Sequence, residues 1–212
     1  MWFASLSLTG VFFVLLSLYT YFYNDQAYNL TALSQATASI AALMIGLSFA
    51  MSGLTYYFDF LDSKLAYRKY FGLAGYYLAL LYIFSLLLLE PKRYFFGFFD
   101  NIVSADFLLG LSAMAILSFV ALISNSWGIK KLGPHWRPSQ RLGYLAYALL
   151  IVRAVVIEWD VWIEWWENFA GLPPPRLLIS IFALLVILFR GSMIVPQFLR
   201  QKNTQSNTPN IT

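Results

Sequence analysis

The sequence predicts an all-α integral membrane protein, a bundle of six transmembrane helices. Three observations predict it. The chain holds six apolar runs, each about as long as the roughly 20 residues a helix needs to cross the hydrocarbon layer. It is 60% hydrophobic and only 11% charged, where a soluble domain carries about 25% charged residues. Its basic residues gather in alternate loops, as they do around membrane spans.

The runs cover 4–23, 32–58, 70–89, 105–123, 140–157 and 177–199. They make one transmembrane domain over 1–200. The polar remainder, 201–212, reads as a disordered tail. The first run has no basic segment before it and no small-residue cleavage site ahead of Asn24, so it is expected to be a retained helix rather than a signal peptide.

The second run carries small residues at four-residue spacing: Ser34, Ala38, Ala42, Gly46 and Ala50. In lipid, helices pair by close approach through such residues. The stripe is expected to serve a contact within the bundle, with a groove for another subunit as the alternative. Gly75 and Ala79 repeat the spacing on the third run. The aromatic cluster Tyr94, Phe95, Phe96, Phe98 and Phe99 follows at the level of the lipid headgroups.

Six spans put both termini on one side, with the second and fourth loops. That side holds Lys64, Arg68, Lys69, Lys130, Lys131, Arg137, Arg141, Arg200 and Lys202. The other side holds Lys92, Arg93 and Arg176. The termini are therefore expected in the cytoplasm, across an inner or plasma membrane.

The last outer loop reads Glu158-Trp159-Asp160-Val161-Trp162-Ile163-Glu164-Trp165-Trp166-Glu167. At helical spacing Trp159, Trp162, Ile163 and Trp166 share one face, while Asp160, Glu164 and Glu167 share another. Such a helix either lies along the outer membrane surface or extends the fifth span, until Pro173, Pro174 and Pro175 stop it. Its acidic, aromatic character makes it a candidate surface for an extracytoplasmic partner.

Several chemistries are excluded. With no cysteine there are no disulfides, thiolate metal sites or iron–sulfur clusters. The net charge of +4 sits at helix ends rather than in a basic patch interleaved with aromatics, so nucleic acid is not an expected partner.

Two segments carry a resemblance. One is Arg68-Lys69-Tyr70-Phe71-Gly72-Leu73-Ala74. The other runs from Leu109-Gly110-Leu111 through Ser124-Asn125-Ser126-Trp127 to Lys131-Leu132-Gly133, Trp136 and Arg141-Leu142-Gly143-Tyr144-Leu145. Together they resemble the ferric-reductase-like transmembrane family, especially its haem-binding membrane subunits that serve a periplasmic methionine-sulfoxide reductase. The resemblance implies a ferric-reductase-like bundle and electron transfer through haems held between histidines. The positions it assigns to those histidines are Tyr82, Gln140 and Arg153. Arginine has no lone pair to give iron, and glutamine is a poor axial ligand. The one histidine, His135, lies in an inner loop.

From these residues no cofactor is expected, haem b fitting only with unconventional ligands. The expected function is that of a haem-free structural or partner-binding membrane subunit. The first alternative is a transmembrane electron-transfer protein, and, if an enzyme, an oxidoreductase of the ferric-reductase type using haem, quinone or flavin. The second is a small transporter, suggested by the intramembrane Arg153 and Arg190. Tyr82 and Arg153 are expected at similar depth, ~18–20 Å from the inner side at ~1.5 Å per residue, where they form a candidate structural polar pair.

Overall fold

The computed structural model describes residues 2–24, 29–58, 66–169 and 171–206, and it is an all-α membrane protein with no strand among them. The helices are α1 (Trp2–Tyr23), α2 (Leu30–Tyr57), α3 (Tyr67–Leu89), α4 (Phe98–Asn101), α5 (Ala105–Leu122), α6 (Ser126–Leu132), α7 (Trp136–Asn168) and α8 (Pro175–Ser206). Six of them, α1, α2, α3, α5, α7 and α8, are long and apolar enough to cross a membrane. Each contains one of the six apolar runs, to within a residue at its ends. Residues 201–206 continue α8, while 207–212, like Lys64 of the inner basic set, lie outside the described residues.

The helix at the centre is α2, which packs against α1, α3, α7 and α8. Its stripe of small residues explains how. A Cβ added at Gly46 would run into the Tyr147 hydroxyl and the Phe182 ring, so α7 and α8 both close on this one position. Tyr147 is fully buried, and its hydroxyl donates to the Ala42 carbonyl at 2.9 Å. On the other flank, a Cβ at Gly75 of α3 would lie 2.9 Å from the Ala41 carbonyl of α2. With no hydrophobic force between helices in lipid, these close approaches supply the packing that holds the bundle.

Two apolar clusters result. Ile40, Met44 and Phe71 pack with residues of α1, and Ile45, Phe49, Leu117, Ala146, Tyr147, Ala183 and Val186 join α2, α5, α7 and α8.

The pattern of α1 is reversed relative to a soluble helix. Its buried residues are Ser5, Thr9, Ser17 and Thr20, while Phe3 is 85% exposed and Val11, Val14, Leu15 and Leu18 also face outward. Lipid is a good solvent for those side chains, so nothing drives them inward. The hydroxyls of Ser5, Thr9 and Thr20 donate to their own helix at Trp2, Ser5 and Leu16.

The long α7 is bent at Glu158, whose backbone (φ −120°, ψ 15°) leaves helical geometry. The outer acidic and aromatic segment thus extends the fifth span beyond a kink. It ends at Phe169, in the left-handed region at φ 45°.

Candidate functional site

The half of the bundle that holds the turn between α7 and α8, the outer half in the orientation expected from the sequence, has a cavity of about 110 Å³ between α2, α3, α7 and α8. Small residues make the space: Ala38 and Ala42 of the α2 stripe, Ala79 of α3, and Ala154 of α7. Tyr82, Arg153 and Arg176 line it as well. The same three residues also line a neighbouring cleft of about 410 Å³, whose other walls include Glu90, Arg93, Tyr94 and Asp106. Tyr82 and Arg153, predicted to lie at similar depth, are brought to one cavity.

Arg153 is held from α5. Its side chain lies against Gly110, where an added Cβ would sit 2.9 Å from Nε, and that Nε donates to the Asp106 carbonyl at 2.9 Å. The hydrogen bond found on this guanidinium thus goes to a main-chain oxygen of α5. A charged group within a span is destabilising unless it finds polar company, and the outer cleft supplies it.

The other two arginines of the mouth are tied to carboxylates. Arg93 meets Asp106 at 2.7 Å and Glu90 at 3.9 Å, and its guanidinium lies over the Tyr94 ring. Arg176 meets Glu158 at 2.7 Å, and the second oxygen of Glu158 accepts from Trp162 Nε1 at 3.2 Å. Glu158 therefore sits at the kink of α7 and clamps the start of α8. Sequence reasoning grouped Glu158 with a solvated acidic loop and missed this clamp. The available signal was the proline run, which turns the chain back so that Arg176 returns beside the kink.

Burial pushes the Tyr94 phenol above the usual tyrosine range, with Arg93 and Arg153 pulling it partly back. It stays protonated through neutral pH and remains a hydrogen-bond donor.

Beyond the kink, Trp162 and Trp165 are half-buried, whereas Trp159 and Trp166 are 55% and 65% exposed. Asp160, Glu164 and Glu167 are exposed too. Tryptophans and carboxylates thus stand together on the outside of the molecule.

On the α2 stripe, Ser34 shares a hydrogen bond with Ser85 of α3 at 2.7 Å, Ala38 and Ala42 line the cavity, and Gly46 and Ala50 pack into the core between helices.

The inner end differs. Gln140 donates to Ser124 Oγ at 3.0 Å, and Trp136 donates to the Ile123 carbonyl at 2.9 Å. The Asn125 side chain accepts from Gly128 N at 2.8 Å and so caps α6. His135 is exposed on a turn of 3₁₀ helix. Arg190 reaches the Ser52 carbonyl at 3.5 Å and lies over the Tyr144 ring, 5.8 Å from its centre.

Fold and site together define a polytopic membrane protein with a charge-lined outer cavity. Over 85 residues, 40% of its length, the chain is 34% identical to the protein-methionine-sulfoxide reductase heme-binding subunit MsrQ of Brucella ovis. The same identity and coverage hold for MsrQ of Brucella canis and of Brucella suis. The chain spans 39% of the length of these relatives. No protein-family profile matches it.

These relatives overturn one expectation. No cofactor was expected from the ligand positions, yet the proteins that match are heme-binding subunits. The expectation weighed only the donor atoms at three positions, Tyr82, Gln140 and Arg153. Among the described residues no three His, Cys, Asp or Glu side chains form a metal-binding cluster, and the single histidine is exposed at the inner end. With one histidine in the chain, these residues do not fit a haem held between two imidazoles.

Proposed function

We propose that this protein is the membrane subunit of a redox system in an inner membrane, where it holds a partner protein at its outer face. The observation that carries the reading is the 34% identity over 85 residues to a subunit of protein-methionine-sulfoxide reductase. The partner of first choice is thus the catalytic protein of such a reductase. The exposed Trp159 and Trp166 with Asp160, Glu164 and Glu167 support this outer surface. Aromatic anchors ringed by charge are the chemistry of protein interfaces.

The test is binding of a soluble methionine-sulfoxide reductase catalytic protein to the chain in nanodiscs. Binding that weakens at least about tenfold when Trp159 and Trp166 become alanine supports the reading, since one interface anchor is worth ~1–2 kcal/mol or more. If the intact chain binds nothing, the reading fails. The orientation has its own test. The chain lacks cysteine, so a cysteine placed at Trp166 should react with an impermeant maleimide from outside, and one placed at Gln205 should not.

A second reading, transmembrane electron transfer, is favoured by the heme-binding description of the relatives. An absorption spectrum of protein expressed with haem supplied, oxidised and then dithionite-reduced, decides it. A Soret band that shifts on reduction establishes the second reading. A featureless spectrum from monodisperse protein rejects it.

A further inference from the structure

We propose that the outer cavity and cleft form one binding site for an anionic amphiphile. Its carboxylate or phosphate head would sit on Arg153 and Tyr82, and its apolar body between α2, α7 and α8. The proposal stands apart from the partner-binding reading, because it concerns the inside of the bundle rather than the tryptophan-rich surface.

The argument starts from an inventory of donors. A guanidinium carries five N–H groups in a fork that matches the two oxygens of a carboxylate or phosphate. Arg153 uses its Nε on the Asp106 carbonyl. Among the described residues its terminal nitrogens have no hydrogen-bond partner and no carboxylate within 4.0 Å. Arg93 and Arg176, in the same cleft, each have one at 2.7 Å. Glu90 and Asp106 both pair with Arg93, and Glu158 pairs with Arg176. Among the described residues Arg153 is thus the one guanidinium of the mouth without a carboxylate partner. The Tyr82 hydroxyl has no hydrogen-bond partner among the described residues either, and it lines the same two spaces. A guanidinium without a carboxylate, lining the same half-open space as a phenol hydroxyl, suits an anion.

The volume sets the other half of the ligand. The cavity below the mouth is lined mostly by apolar side chains, with Ser39 and Ser180 also on its wall, and measures about 110 Å³. A dry cavity of ~150 Å³ in a protein core holds a benzene ring. The space here therefore takes a short apolar segment of the ligand, while the remainder of an acyl chain extends between the helices into lipid. A small, purely polar anion would leave the cavity empty, and a neutral chain would leave Arg153 unpaired. An acyl chain ending in an anion satisfies both, whether it is a free fatty acid or an anionic phospholipid.

The test is native mass spectrometry of the full chain from a neutral detergent. The probes, added separately, are dodecanoate, phosphatidylglycerol, phosphatidylcholine, dodecanol and dodecyltrimethylammonium. Retention of dodecanoate or phosphatidylglycerol should exceed that of the neutral, zwitterionic and cationic probes by roughly tenfold, the effect of one charge-assisted contact. Dodecanoate without phosphatidylglycerol would name a free fatty acid as the source, and phosphatidylglycerol would name a membrane lipid. Arg153→Gln should lose that preference. Ala154→Leu, which fills the cavity and leaves the arginine, should lose retention as well, and Lys131→Gln at the inner end should change nothing. The probe comparison on the unaltered protein stands even where a variant fails to fold. Equal retention of dodecanol or the cation overturns the proposal, as does an Arg153→Gln protein that binds like the original. A Soret band in the purified protein that Ala154→Leu abolishes would give the cavity to haem and overturn it too.

Discussion

The two ends of the bundle use their polar side chains in opposite ways. At the inner end they close on each other and on the main chain: Asn125 on Gly128, Trp136 on Ile123, Gln140 on Ser124. A Cβ at Gly128 would lie 2.7 Å from the Ile123 Cα, so the turn between α5 and α6 is drawn tight. At the outer end Arg153 and Tyr82 line open volume, and tryptophans stand exposed beyond the kink. Both ends are polar. Buried polar atoms without a partner occur toward the inner end as well, at Ser52 and Tyr144, so what sets the outer end apart is the charged cleft that opens there. The inner end holds the chain, and the outer end carries both proposed binding sites.

The contrast can be broken or sharpened by substitution. The largest expected effect lies between the two ends, at Gly46, where α7 and α8 both meet α2. Gly46→Leu should destabilise the bundle by about 3 kcal/mol, the upper range for overpacking, or prevent its assembly, as read by thermal unfolding in detergent. A Gly46→Leu protein with unchanged stability would mean that the stripe does not serve this contact. Next is Glu158→Ala, which strands Arg176 and Trp162. Its side chain is 18% exposed, so about 2 kcal/mol is expected rather than the ~3–5 kcal/mol of a fully buried pair.

Asn125→Ala at the inner end should remove about 1 kcal/mol, the usual worth of a helix cap. Arg153→Leu is the sharpest test, because a receiving arginine should be nearly dispensable for stability. It forfeits one hydrogen bond and gains apolar burial, and the net change should stay within about 0.5 kcal/mol. A loss as large as that of Glu158→Ala would make Arg153 a structural strut and erase the contrast. The smallest effect concerns pH. With its phenol raised in the folded chain, Tyr94 contributes stability below about pH 10, and that contribution disappears as pH rises through the folded value. Tyr94→Phe should therefore flatten the alkaline limb of a stability titration. An unchanged limb would show that other groups produce it.

Much of this was legible in the sequence. The six spans follow from run length alone, because the bilayer sets a length that composition reveals. Gly46 and Gly75 announced close helix contacts. Glu158 did not announce its role, since its partner Arg176 is separated from it by a turn whose path depends on Pro173 to Pro175 and on the kink itself. Gly110 was visible only as part of a motif, and the arginine it makes room for comes from another helix. Asn125 and Trp136 belonged to the motifs that carry the resemblance, and Gln140 stands where that resemblance implies a histidine. What they do here is close an inner turn, which spacing alone does not disclose.

The reversed pattern of α1 bears on the order in which this protein is made. Three of its four buried hydroxyls are satisfied by its own carbonyls, and its hydrocarbon side chains face outward. Such a segment can leave the translocation machinery and reside in lipid alone. Its tether to the end of the chain is Tyr19, whose hydroxyl donates to the Pro173 carbonyl at 2.7 Å. Pro173 is synthesised only after five spans have emerged. α1 itself packs mainly on α2 and α3, so those spans hold it early, and the Tyr19 hydrogen bond adds a later fastening.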